Sequence, residues 1–283
     1  MAAMIKPFDE EHGHAISNVL IVFEFSAPLS PHVFTDLRAG GKLHESLKAD
    51  LPRVVEQQQM TFNFNVGADH QMFAPPISQP GMIGGISFDR IKPNGEAAMS
   101  VNVQANALLI ICGEYERWAK VSEEVGKYLD ILNPLLSPIS VSSLLLQYTD
   151  IFKVSYEAGQ PCPLTDLFSS QSKYLPPSFA NISDSFHSHH GFFTTPDFTL
   201  NGKLLTNINV NVTEAASVFD VNIVTMHKYM LSDMLPLIAQ DSEINKIIKP
   251  VFQYLHDQSK LVFGDLLTDA AKRLIKFDSK NPA

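Results

Sequence analysis

Asparagine and apolar side chains alternate strictly from residue 207 to residue 212. Successive side chains of a strand point to opposite faces, so Leu204 to Val212 is predicted to form a strand with one buried and one polar face. Val218 to Tyr229 is predicted to pair with it as an antiparallel hairpin. The polar face formed by Asn207, Asn209 and Asn211 has two interpretations, a solvated outer face or a surface that binds a ligand or a partner chain.

Similar patterns predict further strands and two helices. Three consecutive strands are expected at residues 83–91, 99–104 and 108–112, and another at 141–156. Apolar residues recur every three or four positions from Glu114 to Leu132 and again from Glu243 to Leu267, which predicts two long amphipathic helices. The expected fold class is α+β, with a mainly antiparallel, curved sheet packed against these two helices.

Prolines and glycines mark the expected ends of several elements. Gly40-Gly41 is expected to interrupt a helical segment from Phe34 to Val55, and Pro134 to end the first amphipathic helix. Pro250 is expected to kink or to start the last long helix, and Thr268 to cap a short helix after it.

A segment rich in proline and serine, residues 160–185, predicts a boundary between two lobes. The N-terminal lobe would comprise residues 1–159 with the order β-α-β-β-β-β-α-β. The C-terminal lobe would comprise residues 160–283, with antiparallel strands and the last long helix.

Composition argues against several classes of protein. Of the 283 residues 45% are hydrophobic, which is enough for a core, and the net charge of −9 disfavours nucleic-acid binding. No apolar run approaches the roughly 20 residues that span a bilayer, and the first residues lack the apolar core of a signal peptide. Only two cysteines occur, Cys112 and Cys162. We therefore expect a cytoplasmic protein without membrane or nucleic-acid contacts. Its expected partner is another protein or a second copy of itself.

Four stretches together carry a family resemblance: Ile86-Ser87-Phe88-Asp89, Tyr115-Glu116-Arg117-Trp118, Leu146-Gln147-Tyr148-Thr149-Asp150-Ile151-Phe152, and Leu255-His256-Asp257 followed by Phe263. In order and spacing they resemble a sporadically distributed family of uncharacterised bacterial proteins. The resemblance covers roughly residues 16–269. It implies no activity, and some members of the family occur near phage-defence genes. The family's strand usually carries an arginine before the tyrosine, where this chain has Gln147.

The histidines at 187, 189 and 190 form the sharpest local cluster, and Asp184 precedes them. His187 and His189 would point to the same face of a strand and could present two imidazoles to one metal ion, with Asp184 or His227 as a third ligand. The alternative interpretation is an exposed, polar strand end.

Other residues suggest weaker sites. His256 and Asp257 could form an acid–base pair only with another group, because adjacent helix residues point about 100° apart. His256 is expected instead to hydrogen-bond across to the sheet. Tyr115 and Trp118 share a helix face and could line a pocket, although core packing is the simpler interpretation. Phosphate-loop, nucleophile-elbow and His-Glu-x-x-His motifs do not occur.

The sequence thus favours a non-enzymatic binding or sensing module, acting through a protein partner or a small ligand and without a cofactor. The alternative is a metal-dependent hydrolase centred on His187 and His189, with Asp184 as a further ligand. A carrier of an apolar ligand beneath the last long helix is a third hypothesis.

Overall fold

The structure, a computed structural model, describes residues 4–61, 77–136, 139–157, 164–182, 184–198, 200–236 and 243–277. Ten strands lie in these ranges: β1 (Met4–Pro7), β2 (Ile16–Phe25), β3 (Arg53–Thr61), β4 (Ile77–Ile91), β5 (Ala97–Gln104), β6 (Ala107–Cys112), β7 (Ser140–Ser155), β8 (Phe186–Thr194), β9 (Gly202–Ala215) and β10 (Val218–Pro236). The helices are α1 (Val33–Leu37), α2 (Lys42–Leu47), α3 (Trp118–Leu136), α4 (Leu164–Leu167), α5 (Glu243–Leu266) and α6 (Asp269–Leu274), with a 3₁₀ turn at Pro177–Asn181.

All ten strands belong to one antiparallel sheet, in the order β3-β4-β5-β6-β2-β7-β10-β9-β8. The short strand β1 also pairs with β7, from Met4↔Ser155 to Pro7↔Phe152. The predicted hairpin of β9 and β10 is confirmed, with Val218 paired to Ala215. Its two turn residues, Ala216 and Ser217, have φ values of 52° and 62°, which is the backbone that a two-residue hairpin of primed type requires.

The α+β class and the mainly antiparallel sheet are therefore confirmed. The description in terms of two long amphipathic helices is not, since four of the helices span only four to six residues. The other two, α3 and α5, span 19 and 24 residues and each contains a proline.

One face of the sheet packs against helices, because buried and less buried side chains alternate along the strands and the buried ones share that face. In β7, Leu144, Leu146, Tyr148, Asp150 and Phe152 are buried, whereas the residues between them are only partly buried. Helix α5 contacts β7 and β10 on this face, and α3 contacts α5. Position 150 is therefore a carboxylate in a row of otherwise apolar or aromatic side chains.

Two sequence expectations about helix ends are wrong. The chain is extended from Arg53 onwards rather than helical to Val55, because Pro52 disfavours a helix and Val54 pairs with Phe88 of β4. Pro134 lies inside α3, which continues to Leu136. The proline removes one backbone hydrogen bond of the last turn, and the burial of Leu135 and Leu136 in the continued helix offsets this loss.

The sheet runs across the predicted lobe boundary. β7 precedes the segment 160–185 and β10 follows it, yet the two pair along nearly their whole length. Strands of both predicted lobes thus share one sheet, and the division into residues 1–159 and 160–283 remains a prediction.

The burial of Cys112 agrees with its expected role as a small apolar residue. It is 4% exposed, and burial raises the pKa of its thiol. Cys162 lies outside the described residues. Among the helices that the structure describes, none combines the length and the apolarity needed to cross a membrane.

Thr268 caps α6 as predicted, and its removal is expected to be costly. Its Oγ1 accepts a hydrogen bond from the Ala271 amide at 3.1 Å and donates one to the Asp166 carbonyl at 2.7 Å. We expect Thr268→Ala to lower the free energy of unfolding by about 1–2 kcal/mol. Urea denaturation would measure it, with Thr268→Ser as the control that keeps the hydroxyl. An equal loss in both variants would contradict the capping role.

Candidate functional site

On one side of β7 the neighbouring strand changes near residue 151, whereas β10 lies along the other side throughout. β2 pairs with β7 from Val141 to Asp150, and β1 takes over at Phe152. Between β1 and β2 the chain leaves the sheet as a loop, which an Asp9↔His14 bridge closes. At this point the Ile151 amide donates a hydrogen bond to the Ala15 carbonyl at 2.8 Å.

A cavity of about 280 Å³ lies on the helix-covered face at this change of neighbours. One wall consists of residues 12–16, from the loop before β2 and its first residue, and another consists of residues 115–118, which lead into α3. Tyr148 and Asp150 come from β7, residues 275–277 from the segment after α6, and four residues from α5: His256, Ser259, Lys260 and Phe263. Five segments far apart in sequence thus form one site.

Asp150 is the most unusual group in this cavity. Its side chain is 2% exposed, and Oδ1 is buried without a hydrogen-bond partner. Burial removes water from the carboxylate and raises the pKa of Asp150 to about 8. At neutral pH most Asp150 side chains are therefore uncharged. A buried polar group without a partner is rare in folded proteins and requires an explanation.

A hydrogen-bonded network forms the part of the wall next to Asp150 on β7 and across from it on α5. The Tyr148 hydroxyl and His256 Nδ1 are 2.8 Å apart, so His256 bonds across to the sheet as predicted. Trp118 stacks on His256 at 4.9 Å between ring centres, and its Nε1 donates to Gln253 Oε1 at 2.8 Å. Burial, and then the nearby Lys260, lower the pKa of His256 to about 4. His256 is consequently neutral at pH 7.

Asp257 does not belong to this network in the way an acid–base pair requires. Its side chain is exposed and accepts a hydrogen bond from Gln253 Nε2 at 3.0 Å. The cavity contains His256 but not Asp257. The hypothetical pair of His256 and Asp257 is therefore not formed.

Tyr115 extends the aromatic wall towards the loop. Its ring meets Tyr148 edge to face at 6.3 Å and His14 at 5.5 Å. Burial, and then the nearby Asp150, raise the pKa of the Tyr115 phenol. Burial also raises the pKa of Tyr148, so both phenols are protonated at neutral pH. The pocket interpretation of Tyr115 and Trp118 fits this position, although Trp118 is also part of the core.

Three of the four stretches of the family resemblance meet at the cavity. Tyr115 to Trp118, Tyr148 with Asp150, and His256 with Phe263 all contribute to its lining. The fourth stretch does not, since Ile86 and Phe88 are core residues of β4. Gln147 faces the opposite side of β7 from Tyr148, so the departure from the family's arginine leaves the lining unchanged.

Sequence reasoning missed Asp150 as a site residue. The available signal was its place in the alternation of the strand, because Asp150 lies on the same face as the buried residues Leu146, Tyr148 and Phe152. A carboxylate at such a position is either paired in the core or faces a cavity. The loop residues His12 to Ala15 carried no comparable signal.

The predicted histidine cluster lies elsewhere, on the edge strand β8. His187 and His189 are exposed and pair with Asn211 and Asn209 of β9, on the asparagine face. His189 Nε2 is 2.5 Å from Asn207 Oδ1. His190 points the other way and contacts the rings of Tyr174 and Phe192. His187 and His189 do share a strand face, as predicted, and their strand lies at the edge of the sheet.

The expected third ligands do not complete a metal site. His227 is fully buried on the core face of β10, and its Nδ1 is 3.1 Å from Thr206 Oγ1. Asp184 is exposed and accepts a hydrogen bond from the Ser185 amide at 2.6 Å. Within the described residues, no three His, Cys, Asp or Glu side chains are grouped so that they could hold a metal ion. Metal binding by His187, His189 and Asp184 stays a prediction.

Comparison with known proteins adds no functional information. No protein-family model matches the chain, and no curated protein matches it. The resemblance to the uncharacterised bacterial family therefore stays an expectation from the sequence.

Proposed function

We propose that this protein is a binding module that holds a small organic molecule in the cavity between β7 and α5. The observation that supports the proposal best is Asp150, a buried carboxyl group whose Oδ1 has no partner and which lines a cavity of about 280 Å³. A ligand that donates a hydrogen bond to Oδ1 would remove this unfavourable state.

The size and the walls of the cavity favour binding of a metabolite. Its volume is just below the roughly 300–1,000 Å³ of pockets for drug-sized ligands. The walls combine rings with polar and charged side chains, and converging polar groups of this kind fix the orientation of a ligand in small-molecule sites. Tyr148, His256 and Trp118 already bond to or stack on one another, so the site is pre-formed.

Trp118 is the chain's single tryptophan and lies in the cavity wall, so its fluorescence reports directly on the site. We expect small aromatic compounds from a fragment library both to raise the melting temperature and to change Trp118 emission. Ile16 is half-buried and lines the cavity. Enlarging it in Ile16→Phe is expected to weaken this binding about tenfold or more by occupying part of the volume.

The matched control is Ile151→Phe, the same substitution at a half-buried position on the other face of β7. It should leave fragment binding unchanged. Fragments that bind equally well to both variants would place the binding elsewhere and contradict the proposal. A library in which no fragment changes Trp118 emission would also contradict it.

The other parts of the functional hypothesis remain predictions. These are a protein partner or self-association, a cytoplasmic location, a link to phage defence and the metal-dependent hydrolase at His187 and His189. Elemental analysis of the purified protein would test the hydrolase, since stoichiometric zinc or manganese lost in a His187→Ala, His189→Ala double variant would support it.

A further inference from the structure

The chemical class of the ligand can be argued from the charges around the cavity, provided that the proposed binding function holds. Asp150 can serve a ligand in only two ways. It accepts hydrogen bonds through both oxygens when ionised, and it donates one when protonated. Its burial makes an uncompensated negative charge costly, so a ligand that brings a positive charge would gain most from this position.

The surroundings of Asp150 suit an organic ammonium group. Tyr115 and Tyr148 lie next to each other in the wall, and aromatic rings attract cations through their negative faces. The His256 ring beside them is neutral at pH 7 because burial lowers its pKa to about 4. It therefore does not repel a cation at neutral pH. An ammonium group would thus meet a carboxylate and rings at the inner end of the cavity.

The mouth of the cavity has the opposite character. Arg117, Lys260 and Lys276 contribute to the lining and are exposed, and Lys260 Nζ lies 5.5 Å from the centre of the Phe277 ring. Glu116 also lines the cavity, and its carboxylate is paired with Lys120 Nζ at 2.5 Å. Basic side chains at the entrance attract anions and repel simple cations.

We propose that the ligand is a zwitterion, with an ammonium group bound to the Asp150 carboxylate and an anionic group, a carboxylate or a phosphate, next to the basic side chains at the mouth. Each end of the cavity then binds a group of opposite charge. A ligand with only one of the two groups would make only one of these two interactions.

Four probes of similar size separate the effects of the two charges. All are para-substituted benzenes: 4-(aminomethyl)benzoate carries both charges, 4-methylbenzylamine only the ammonium, 4-methylbenzoate only the carboxylate, and 4-methylbenzyl alcohol neither. Isothermal titration calorimetry with the full chain at about pH 8.5 would measure the affinities. We expect 4-(aminomethyl)benzoate to bind most tightly and the alcohol about tenfold or more weaker, because charge-assisted hydrogen bonds are roughly twice as strong as neutral ones.

Two variants assign each charge to its residue. Asp150→Asn should remove the advantage of both ammonium probes, about tenfold or more, and leave the alcohol unchanged. Lys260→Gln should weaken the two carboxylate probes a few-fold, as expected of an exposed charge, and leave 4-methylbenzylamine unchanged or slightly tighter. Asp220→Asn is the control for net charge, since Asp220 lies on β10 outside the cavity lining with its side chain 54% exposed.

The pH dependence gives an independent readout. Ammonium probes require ionised Asp150, so their affinity should rise by more than about tenfold between pH 6 and pH 8.5 as the carboxyl group loses its proton. Alkylammonium groups stay charged over this range. The alcohol should show no such rise. The titratable or charged groups that line the cavity with Asp150 come from the loop before β2, the residues leading into α3, β7, α5 and the segment after α6: His12, His14, Tyr115, Glu116, Arg117, Tyr148, His256, Lys260 and Lys276.

The outcomes separate this inference from the proposed function. Equal binding of all four probes, or tightest binding of the alcohol, would overturn the zwitterion while leaving a cavity that binds aromatic molecules. Tight binding of 4-methylbenzoate that survives Asp150→Asn would overturn it in favour of a purely anionic ligand. If none of the probes binds, the inference is wrong, and the fragment experiment with Ile16→Phe decides the proposed function by itself.

Discussion

Replacing Asp150 by asparagine is expected to stabilise the folded protein by about 4 kcal/mol at pH 7 and to have little effect near pH 4. The pKa of Asp150 is about 8 in the folded protein, because burial disfavours its charged form, against 3.8 for the unperturbed side chain. The unfolded chain therefore releases this proton near pH 4 and the folded chain only near pH 8.

The direction of this pH effect depends on whether the folded or the unfolded state binds the proton more strongly. Between these two pKa values the folded protein binds more protons at Asp150 than the unfolded chain does, so acid favours folding and rising pH weakens it. The loss is about 1.4 kcal/mol per pH unit and ends above the folded pKa. An asparagine has the same shape but no ionisation, and it avoids this loss.

Urea denaturation of both proteins from about pH 4 to pH 8.5 would measure the effect. Only the difference between wild type and variant is interpreted, since other groups titrate in both. Asp220→Asn is the matched control, because its exposed carboxylate is already in water in the folded protein. A constant difference between Asp150→Asn and wild type across this range would show that Asp150 is hydrated or paired, and would remove the main support for the binding site.

Acidification from pH 7 to pH 4 is expected to cost the protein about 3 kcal/mol through His227 alone. His227 is fully buried, its Nδ1 is 3.1 Å from Thr206 Oγ1, and its Nε2 has no partner. Burial lowers the pKa of His227 to about 4, from 6.5 for the unperturbed side chain. The unfolded chain therefore takes up a proton as the pH falls below about 6.5, and the folded chain resists it until about pH 4.

This contribution to stability is present above the unfolded pKa and is lost as the pH falls through the folded one. It opposes that of Asp150, which gains stability on acidification over the same range. His227→Gln keeps a group that can bond to Thr206 and has no proton to take up, so its stability should fall about 3 kcal/mol less than that of wild type between pH 7 and pH 4. His187→Gln, at an exposed position of β8, is the control. An equal fall in His227→Gln and His187→Gln would refute the assignment.

Local patterns in the sequence were enough to predict most elements of the fold. The alternation in residues 207–212 and the turn after it predicted the hairpin of β9 and β10, because strand periodicity depends only on neighbouring residues. Thr268 as a helix cap was predicted for the same reason. The end of the helical segment expected to reach Val55 was predicted wrongly. There Val54 pairs with Phe88, a partner 34 residues away, and this pairing overrides the local helical pattern.

The candidate site was predictable only in part. Tyr115 and Trp118 were expected to pack in the core or to line a pocket, and His256 to hydrogen-bond across to the sheet, but nothing in the sequence joined the three into one site. The histidines of β8 attracted attention because three of them lie within four positions. Yet His187 and His189 face outward at the sheet edge, and His190 packs on Tyr174 and Phe192. Closeness in sequence did not make these histidines one site.

The sequence by itself determined that Asp150 lies on the same strand face as Tyr148 and Phe152, since a strand repeats every two residues. Only the tertiary structure decided that this carboxyl group has a cavity beside it. The reason is the change of neighbour along β7, where β2 ends and β1 begins, so that the loop before β2, α3 and α5 meet around one residue. Contacts between segments more than 100 residues apart depend on the packing of the whole sheet, and no local pattern encodes them.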